Sequence, residues 1–454
     1  MANEVWTTLP FTEAVLVNPS IRLTKGAAYP FVEMAAVDPN TRSVHESEIR
    51  EFKGSGARFM PGDTLMARIT PCLENGKIAR FQPTNGTSAG FGSTEFIVIR
   101  GRDGITDNVA YYLTKWSEFR QFAISQMTGS SGRQHVPVSS LAHFEVTIPP
   151  ISVQRRIAHI LGTLDDKIEL NRRMNQTLEA IARAIFKSWF VDFDPVIDNA
   201  LVAGKPIPEQ FAERAARRAQ LPHGKSPLPE NIRRLFPDEF QDSELGPIPK
   251  GWEVKPIGDV VRCVGGATPS TKNPKYWEGG ENPFLTPKDM ASLDAPVILN
   301  TERYITYAGV EKISSKKLPA DTVLLSSRAP IGYLAINEVP VSVNQGIIAM
   351  ICDGALPNYY VFFWVKNNMD VVKAKAGGTT FAEISKRNFR SIPALLPSRV
   401  VLDGFMGVAR PLFQKIVANS VSSSTLPEMR DTLLPKLISG KLRVPNVKKI
   451  LEDA

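Results

Sequence analysis

The sequence predicts an α+β protein built from one unit used twice, a β-rich globular part of about 150 residues followed by a long helix. Three observations predict it. Short segments recur in one order at an offset near 250 residues. The apolar residues of "LGTLDDKIELNRRMNQTLEAIARAIFKSWF" (161–190) step 4,3,4,3, the spacing of a coiled-coil seam. The flanking sequence is broken into short β-prone runs bounded by Gly, Pro and Asp.

The duplication begins at the N-terminus. "VWTTLPFTEAV" (Val5–Val15) resembles "GWEVKPIGDVV" (Gly251–Val261), with Trp6 against Trp252 and Pro10 against Pro256. "YPFV" (Tyr29–Val32) resembles "NPFL" (Asn282–Leu285), and "PGDTLMARITP" (Pro61–Pro71) resembles "PADTVLLSSRAP" (Pro319–Pro330). "GSSGRQHVPVSSLAHFEVTIP" (Gly129–Pro149) resembles "GGTTFAEISKRNFRSIPALLP" (Gly377–Pro397). Each match is weak alone, and their shared order makes the repeat. Two copies are too few for a solenoid.

Within the copies, "EFIVIR" (Glu95–Arg100), "FEVTIP" (Phe144–Pro149) and "TVLLSS" (Thr322–Ser327) read as strands. "NVAYYLTKWSEFRQFAIS" and "NYYVFFWVKNNMDVVKA" read as short helices that follow an Asn cap region. Eight prolines crowd 197–250 and mark a connector, with a small basic helix at "AERAARRAQ". The predicted boundaries are 1–150 and 247–397 for the globular copies and 151–196 for the first long helix. The connector takes 197–246, and the second helix with the C-terminal segment takes 398–445.

The first helix seam is Ile157, Leu161, Leu164, Ile168, Asn171, Asn175, Leu178, Ala182, Ile185 and Trp189. Gln154–Phe190 contains no proline and spans roughly 55 Å at 1.5 Å per residue. The counterpart seam is Phe405, Ala409, Leu412, Ile416, Asn419, Ser423, Leu426, Arg430, Leu433 and Leu437. Pro411, Pro427 and Pro435 are expected to kink or interrupt that second helix. A stripe this long cannot bury itself against its own helix. The two stripes are expected to pack on each other, and packing of each on its own globular part is the alternative.

Of the 454 residues, 43% are hydrophobic and 22% charged, enough to bury cores in several domains. No apolar run reaches membrane length and no secretory signal is visible, so no membrane association and a cytoplasmic location are expected. Cys72, Cys263 and Cys352 are too few and too scattered for a disulfide framework or a zinc site. The net charge is +8, while residues 386–450 carry twelve Lys/Arg against three Asp/Glu. Such a basic segment suits a polyanion, most simply nucleic acid; a solvated basic face explains it equally well.

Catalytic motifs are missing. "GKS" at Gly224–Ser226 has Ala219 where a phosphate-binding loop needs glycine. The five histidines show no metal-ligand spacing, no G-x-S-x-G elbow occurs, and no tetrapeptide of the amino-methyltransferase kind is present. The expectation is no catalytic residue, no metal site and no cofactor in this chain.

At this point the residues resemble a known family. "IPPISVQRRIAHILGTLDDKIELNRRMNQTLEAIARAIFKSWFVDFDPV", a connector, "LGPIPKGWEVKPIGDV" opening the second copy, and the ending "LLPKLISGKLRV" (Leu433–Val444) resemble the DNA-specificity subunit of type I restriction-modification systems. The resemblance covers essentially the whole chain. It implies that each globular copy is a target-recognition domain reading one half of a split, asymmetric double-stranded DNA sequence. It implies that the two long helices form an antiparallel, pseudo-two-fold coiled coil that sets the unread spacing. It also implies two methyltransferase (modification) subunits and two restriction (translocase and nuclease) subunits as partners, with S-adenosylmethionine, ATP and Mg²⁺ belonging to them. A stand-alone modification or restriction enzyme carrying its own recognition domains, and an oligomer scaffold with no DNA role, are the rival readings.

Base readout needs Arg, Lys, Gln, Ser and Thr on loops that reach the major groove. The candidates are Arg68, Thr70 and Lys77, with Ser130, Ser131, Arg133 and Gln134, in the first copy. In the second they are Ser327 and Arg328, then Lys375, Thr379 and Thr380. An exposed polar loop residue is the plain alternative for each. In an antiparallel pair the duplicated seams bring Asn175 opposite Asn419 and Asn171 opposite Ser423. Those polar residues then pin the register, because a slip sets amides against Leu or Ile.

Overall fold

The computed structural model of the chain describes residues 6–86, 88–130, 132–220, 228–377 and 382–443. It divides into two units, Met1–Leu170 with Ser422–Ala454, and Asn171–Val421, so each long helix gives one half to each unit.

In the first unit the apolar run Thr64–Ala67 is buried throughout and lies between Phe96–Gly101 and Ile78–Phe81. A strand covered on both faces reads as a continuous apolar run, which is why "TLMA" has no alternation. The sheet order is Val15–Val17, Phe96–Gly101, Thr64–Ala67, Ile78–Phe81, Ser43–Val44, and only the last pair is parallel. A second sheet runs Glu48–Glu51, Ala28–Val32, Gly90–Gly92, Ala57–Phe59. Glycine is required at Gly92, where a Cβ would sit 2.5 Å from the Val32 carbonyl oxygen. Thr7–Pro10 pairs with Glu145–Ile148, zipping the start of the copy to its end.

The second unit repeats the five-stranded sheet in the same order, with a smaller second sheet of three strands instead of four. Its sheet order is Arg262–Gly265, Ile347–Ile351, Val323–Ser326, Leu334–Asn337, Val297–Ile298, again with only the last pair parallel. Its small sheet runs Arg303–Ile305, Asn282–Leu285, Ser342–Val343, with the same parallel pair as the first copy. Glu253–Pro256 pairs with Pro393–Leu396. Trp6 and Trp252 each stand just before the first strand of their copy. Trp252 is buried against Phe190 and Phe193, while Trp6 is half-buried near Gly440. The expected short helices are Asp107–Lys115, Ser117–Ser125, Asn358–Asn367 and Met369–Ala374. The cap in the first copy is Thr106 rather than an Asn; its hydroxyl accepts from the Val109 amide.

The first long helix is Ile151–Phe190, opened by the Pro150 carbonyl, which accepts from the Val153 and Gln154 amides. The second is Arg399–Ile438 and is unbroken, so the interruption expected at its three prolines does not occur. Pro411 is exposed and Pro427 and Pro435 only partly buried, so the rings lie off the buried stripe. Each lost hydrogen bond is offset by the seam, in which Phe405, Ala409, Ile416, Leu433 and Leu437 are buried.

The stripes pack on each other, as expected, and each half of a stripe also packs on the globular part of its unit. In the first unit Ile157, Leu161 and Leu164 share one core with Leu433, Leu437 and globular residues such as Tyr112. In the second, Ala182, Phe186 and Trp189 share one with Phe405, Ala409 and Phe413. The start of the first helix meets the end of the second, and the end of the first meets the start of the second; the pair is antiparallel. The connector carries Asp194–Ala203 and the expected basic helix, Ala212–Ala219. Arg214 Nε binds Asp194 at 2.6 Å and Arg218 Nε binds Asp198 at 2.5 Å. Burial alone would push the Asp194 carboxyl up, but Arg214 and Ser188 hold it below the usual range.

Candidate nucleic-acid interface

In the first copy the strand Thr64–Ala67 leads into a loop that docks on a hairpin sixty residues later. The Arg68 carbonyl accepts from the Val136 amide at 2.8 Å. The Thr70 amide donates to the Gln134 carbonyl at 3.0 Å, and the Gln134 amide donates back to the Thr70 hydroxyl at 3.1 Å. The hairpin pairs Thr128–Ser130 with Arg133–His135 and turns through Gly132 at φ +86°, a left-handed conformation that favours glycine. Thus Arg68, Thr70 and Gln134 come together, while Ser130 and Arg133 project exposed at the tip. Ser131 lies outside the described residues.

The second copy repeats the wiring with other side chains. The Ser327 carbonyl accepts from the Ile384 amide at 3.0 Å, as Arg68 does from Val136. Arg328 bridges Glu383, whose backbone also pairs with that of Gly377. Ser327 is 3% exposed, so its hydroxyl is not presented to solvent, whereas Arg328 is half-exposed with Glu383 at 3.7 Å. Lys375 is exposed, and Thr379 and Thr380 lie outside the described residues.

Within the second unit the seam asparagines meet. Asn419 Nδ2 donates to Asn175 Oδ1 at 2.9 Å, and Asn175 Nδ2 donates to the Ser420 hydroxyl at 3.2 Å. Asn171 Nδ2 donates to the Asn419 carbonyl at 3.4 Å. All three asparagines are buried. Ser423, expected opposite Asn171, is only partly buried and belongs to the first unit.

The model of the type I restriction modification DNA specificity domain matches this chain twice, at residues 24–180 and 249–399. The chain belongs to that family. It is 41% identical over 416 residues to the type I restriction enzyme MjaIX specificity subunit of Methanocaldococcus jannaschii, covering 91% of this chain and 84% of the relative. It is 30% identical over 431 residues to the type I restriction enzyme HindI specificity subunit of Haemophilus influenzae, covering 87% and 90%. A solved S subunit of a type I restriction-modification system from M. genitalium aligns over 96% of this chain and 97% of its own, at 13% identity and a TM-score of 0.49.

The first matched segment holds most of the first globular copy and thirty residues of the first long helix, and the second holds the second globular copy and ends at Arg399, where the second long helix starts. Their remaining candidates differ in availability. Lys77 donates to the Met34 carbonyl at 2.9 Å and to the Ala35 carbonyl at 3.4 Å, so its ammonium is tied to neighbouring backbone. Arg68 is half-buried and lines a cleft with Asn18, Arg58 and Thr94. Its Nε has no hydrogen-bond partner among the described residues. Arg58 was not anticipated; it sits in a three-residue strand with no sequence signal beyond its charge.

A second polar group at the helix pair was also missed. In the first unit Tyr112 Oη donates to Asp165 Oδ2 at 2.7 Å, and Arg430 Nη1 donates to Asp165 Oδ1 at 2.7 Å. Burial works against the Arg430 charge, but Asp431 and Asp165 more than offset it and raise its pKa. Burial and the Asp165 charge push the Tyr112 phenol up, so it stays a donor. Burial, then Arg430, lowers nearby Lys115 to about 8, with the Pro39 carbonyl as its acceptor at 3.1 Å.

Among the described residues, no helix is long and apolar enough to cross a membrane.

Proposed function

We propose that this chain reads a split, asymmetric sequence on double-stranded DNA, one half with each copy, and directs partner subunits to methylate or cleave it. The carrying observation is one backbone wiring built twice with different side chains at its edge. Ser130, Arg133 and Gln134 present one pattern and Arg328 and Lys375 another, as two half-sites of different sequence require. The antiparallel helices hold the spacing between the halves. S-adenosylmethionine, ATP and Mg²⁺ belong to two methyltransferase and two restriction subunits, and this chain contributes no catalytic group. Its relatives' naming as specificity subunits supports the assembly. A chain of net charge +8 binds DNA weakly alone and tightly once partners add phosphate contacts.

Native mass spectrometry of the chain with the methyltransferase subunit of its own system tests the assembly. A complex of two methyltransferase chains to one of this chain, with DNA affinity far above that of either component, is expected. Absence of any stable complex overturns the reading.

A further inference from the structure

The first unit holds Tyr112, Asp165 and Arg430 in one buried cluster that joins the globular part to both long helices. Asp165 is 5% exposed and Arg430 9%. The repeat places Phe362, Phe413 and Ala182 at the corresponding positions of the second unit. There Phe362 packs edge-on against Phe413 at 5.6 Å, and Ala182 is fully buried in the same core. One structural position is therefore ionic in one unit and aromatic in the other.

The two solutions differ in what they tolerate. An apolar contact accepts a shifted partner with some repacking, whereas a buried charge accepts only a group that completes its hydrogen bonds. Asp165 stands ten residues before Asn175, and Arg430 ten residues after Ser420, so both polar groups belong to one register. A slip of one heptad sets Asp165 against Ser423 or Leu437 and Arg430 against Ala158 or Arg172. In neither direction does Asp165 meet an opposite charge, and Arg430 keeps only Asp431, its neighbour on the same helix, at 2.8 Å.

We infer that Asp165, Arg430 and Tyr112 form a second register device of the helix pair, ionic and confined to the first unit, which fixes the spacing at which the two halves are read. The spacing part of this inference rests on the proposed function; the register part does not. Arg430 is a positioning residue, acting on recognition through the helices.

The test uses the full chain assembled with its methyltransferase subunits. Methylation is compared on DNA carrying the native spacer and spacers three base pairs longer or shorter, about one heptad of helix rise. Asp165→Asn and Arg430→Met are each expected to reduce selectivity for the native spacer about tenfold. The variant Tyr112→Phe/Asp165→Phe/Arg430→Ala, which copies the aromatic solution, is expected to assemble and to show the same relaxed selectivity. In parallel, a cysteine pair placed one heptad out of register is expected to cross-link in these variants and not in the native background. Unchanged selectivity and unchanged cross-linking in Asp165→Asn overturn the inference, whether or not the triple variant assembles. A native complex with no spacer dependence at all overturns the proposed function instead, and the cross-linking still decides the register.

Discussion

Asn419 Nδ2 donates to Asn175 Oδ1 at 2.9 Å across the two long helices, near the middle of their seam. The Asn175 amide accepts from Asn419 and donates to the Ser420 hydroxyl, both within the seam. A slip of one heptad would place Asn175 against Leu412 or Leu426 and Asn419 against Ile168 or Ala182.

Asn175→Leu alone is expected to destabilise the chain by about 1–3 kcal/mol, because it leaves the Asn419 amide buried without its partner. Asn175→Leu with Asn419→Leu is expected to recover that loss, since both polar groups are gone. Thermal unfolding of the four chains of this double-mutant cycle checks it. Additive losses would show that the pair does not interact.

The seam, its two asparagine-bearing centres and the duplication were legible because they rest on periodicity and order along the chain. Asp165 was not legible. It stands one position off the seam and becomes buried only because Tyr112, from the globular part, and Arg430 close over it. The docking of the Arg68 loop on the Gln134 hairpin was likewise invisible, since backbone bonds across sixty residues leave no local pattern. Lys77 and Ser327 show what loop position does not reveal: the Lys77 ammonium bonds the Met34 carbonyl, and Ser327 is buried.

Pro411 lies exposed within the second helix, whose interior it disfavours by removing a hydrogen bond. Pro411→Ala is expected to stabilise the chain by about 1–3 kcal/mol. A lower melting temperature for the variant would mean that the proline bend is built into the packing.

Lys115 is buried and its pKa is lowered to about 8 from 10.5. Below pH 8 the ammonium is charged in both folded and unfolded chains, and the folded state bears the full penalty. Between pH 8 and 10.5 the unfolded chain holds the proton more tightly, so stability at this group rises with pH. Lys115→Met is therefore expected to stabilise the chain by about 1–3 kcal/mol near neutral pH. That advantage should shrink as the pH is raised from 8 to 10. An advantage independent of pH would place the cause in packing.

Arg133 and Gln134 edge one copy, and Arg328 and Lys375 the other. Replacing the first pair by alanine is expected to weaken base discrimination at one half-site by about 1–3 kcal/mol per lost bidentate contact and to leave the other half unchanged. The second pair is expected to act on the other half alone. Methylation assays on DNA libraries randomised at one half at a time read this out, and equal effects on both halves would contradict the separate readers.

The most direct test of two readers on one chain is mapping of methylated bases across the genome of a host carrying the complete system, by single-molecule sequencing. The account predicts one split motif with two different halves at a fixed gap. It also predicts that exchanging residues 1–150 for those of a relative changes one half and preserves both the gap and the other half. A single uninterrupted motif, or a gap that varies from site to site, would contradict it.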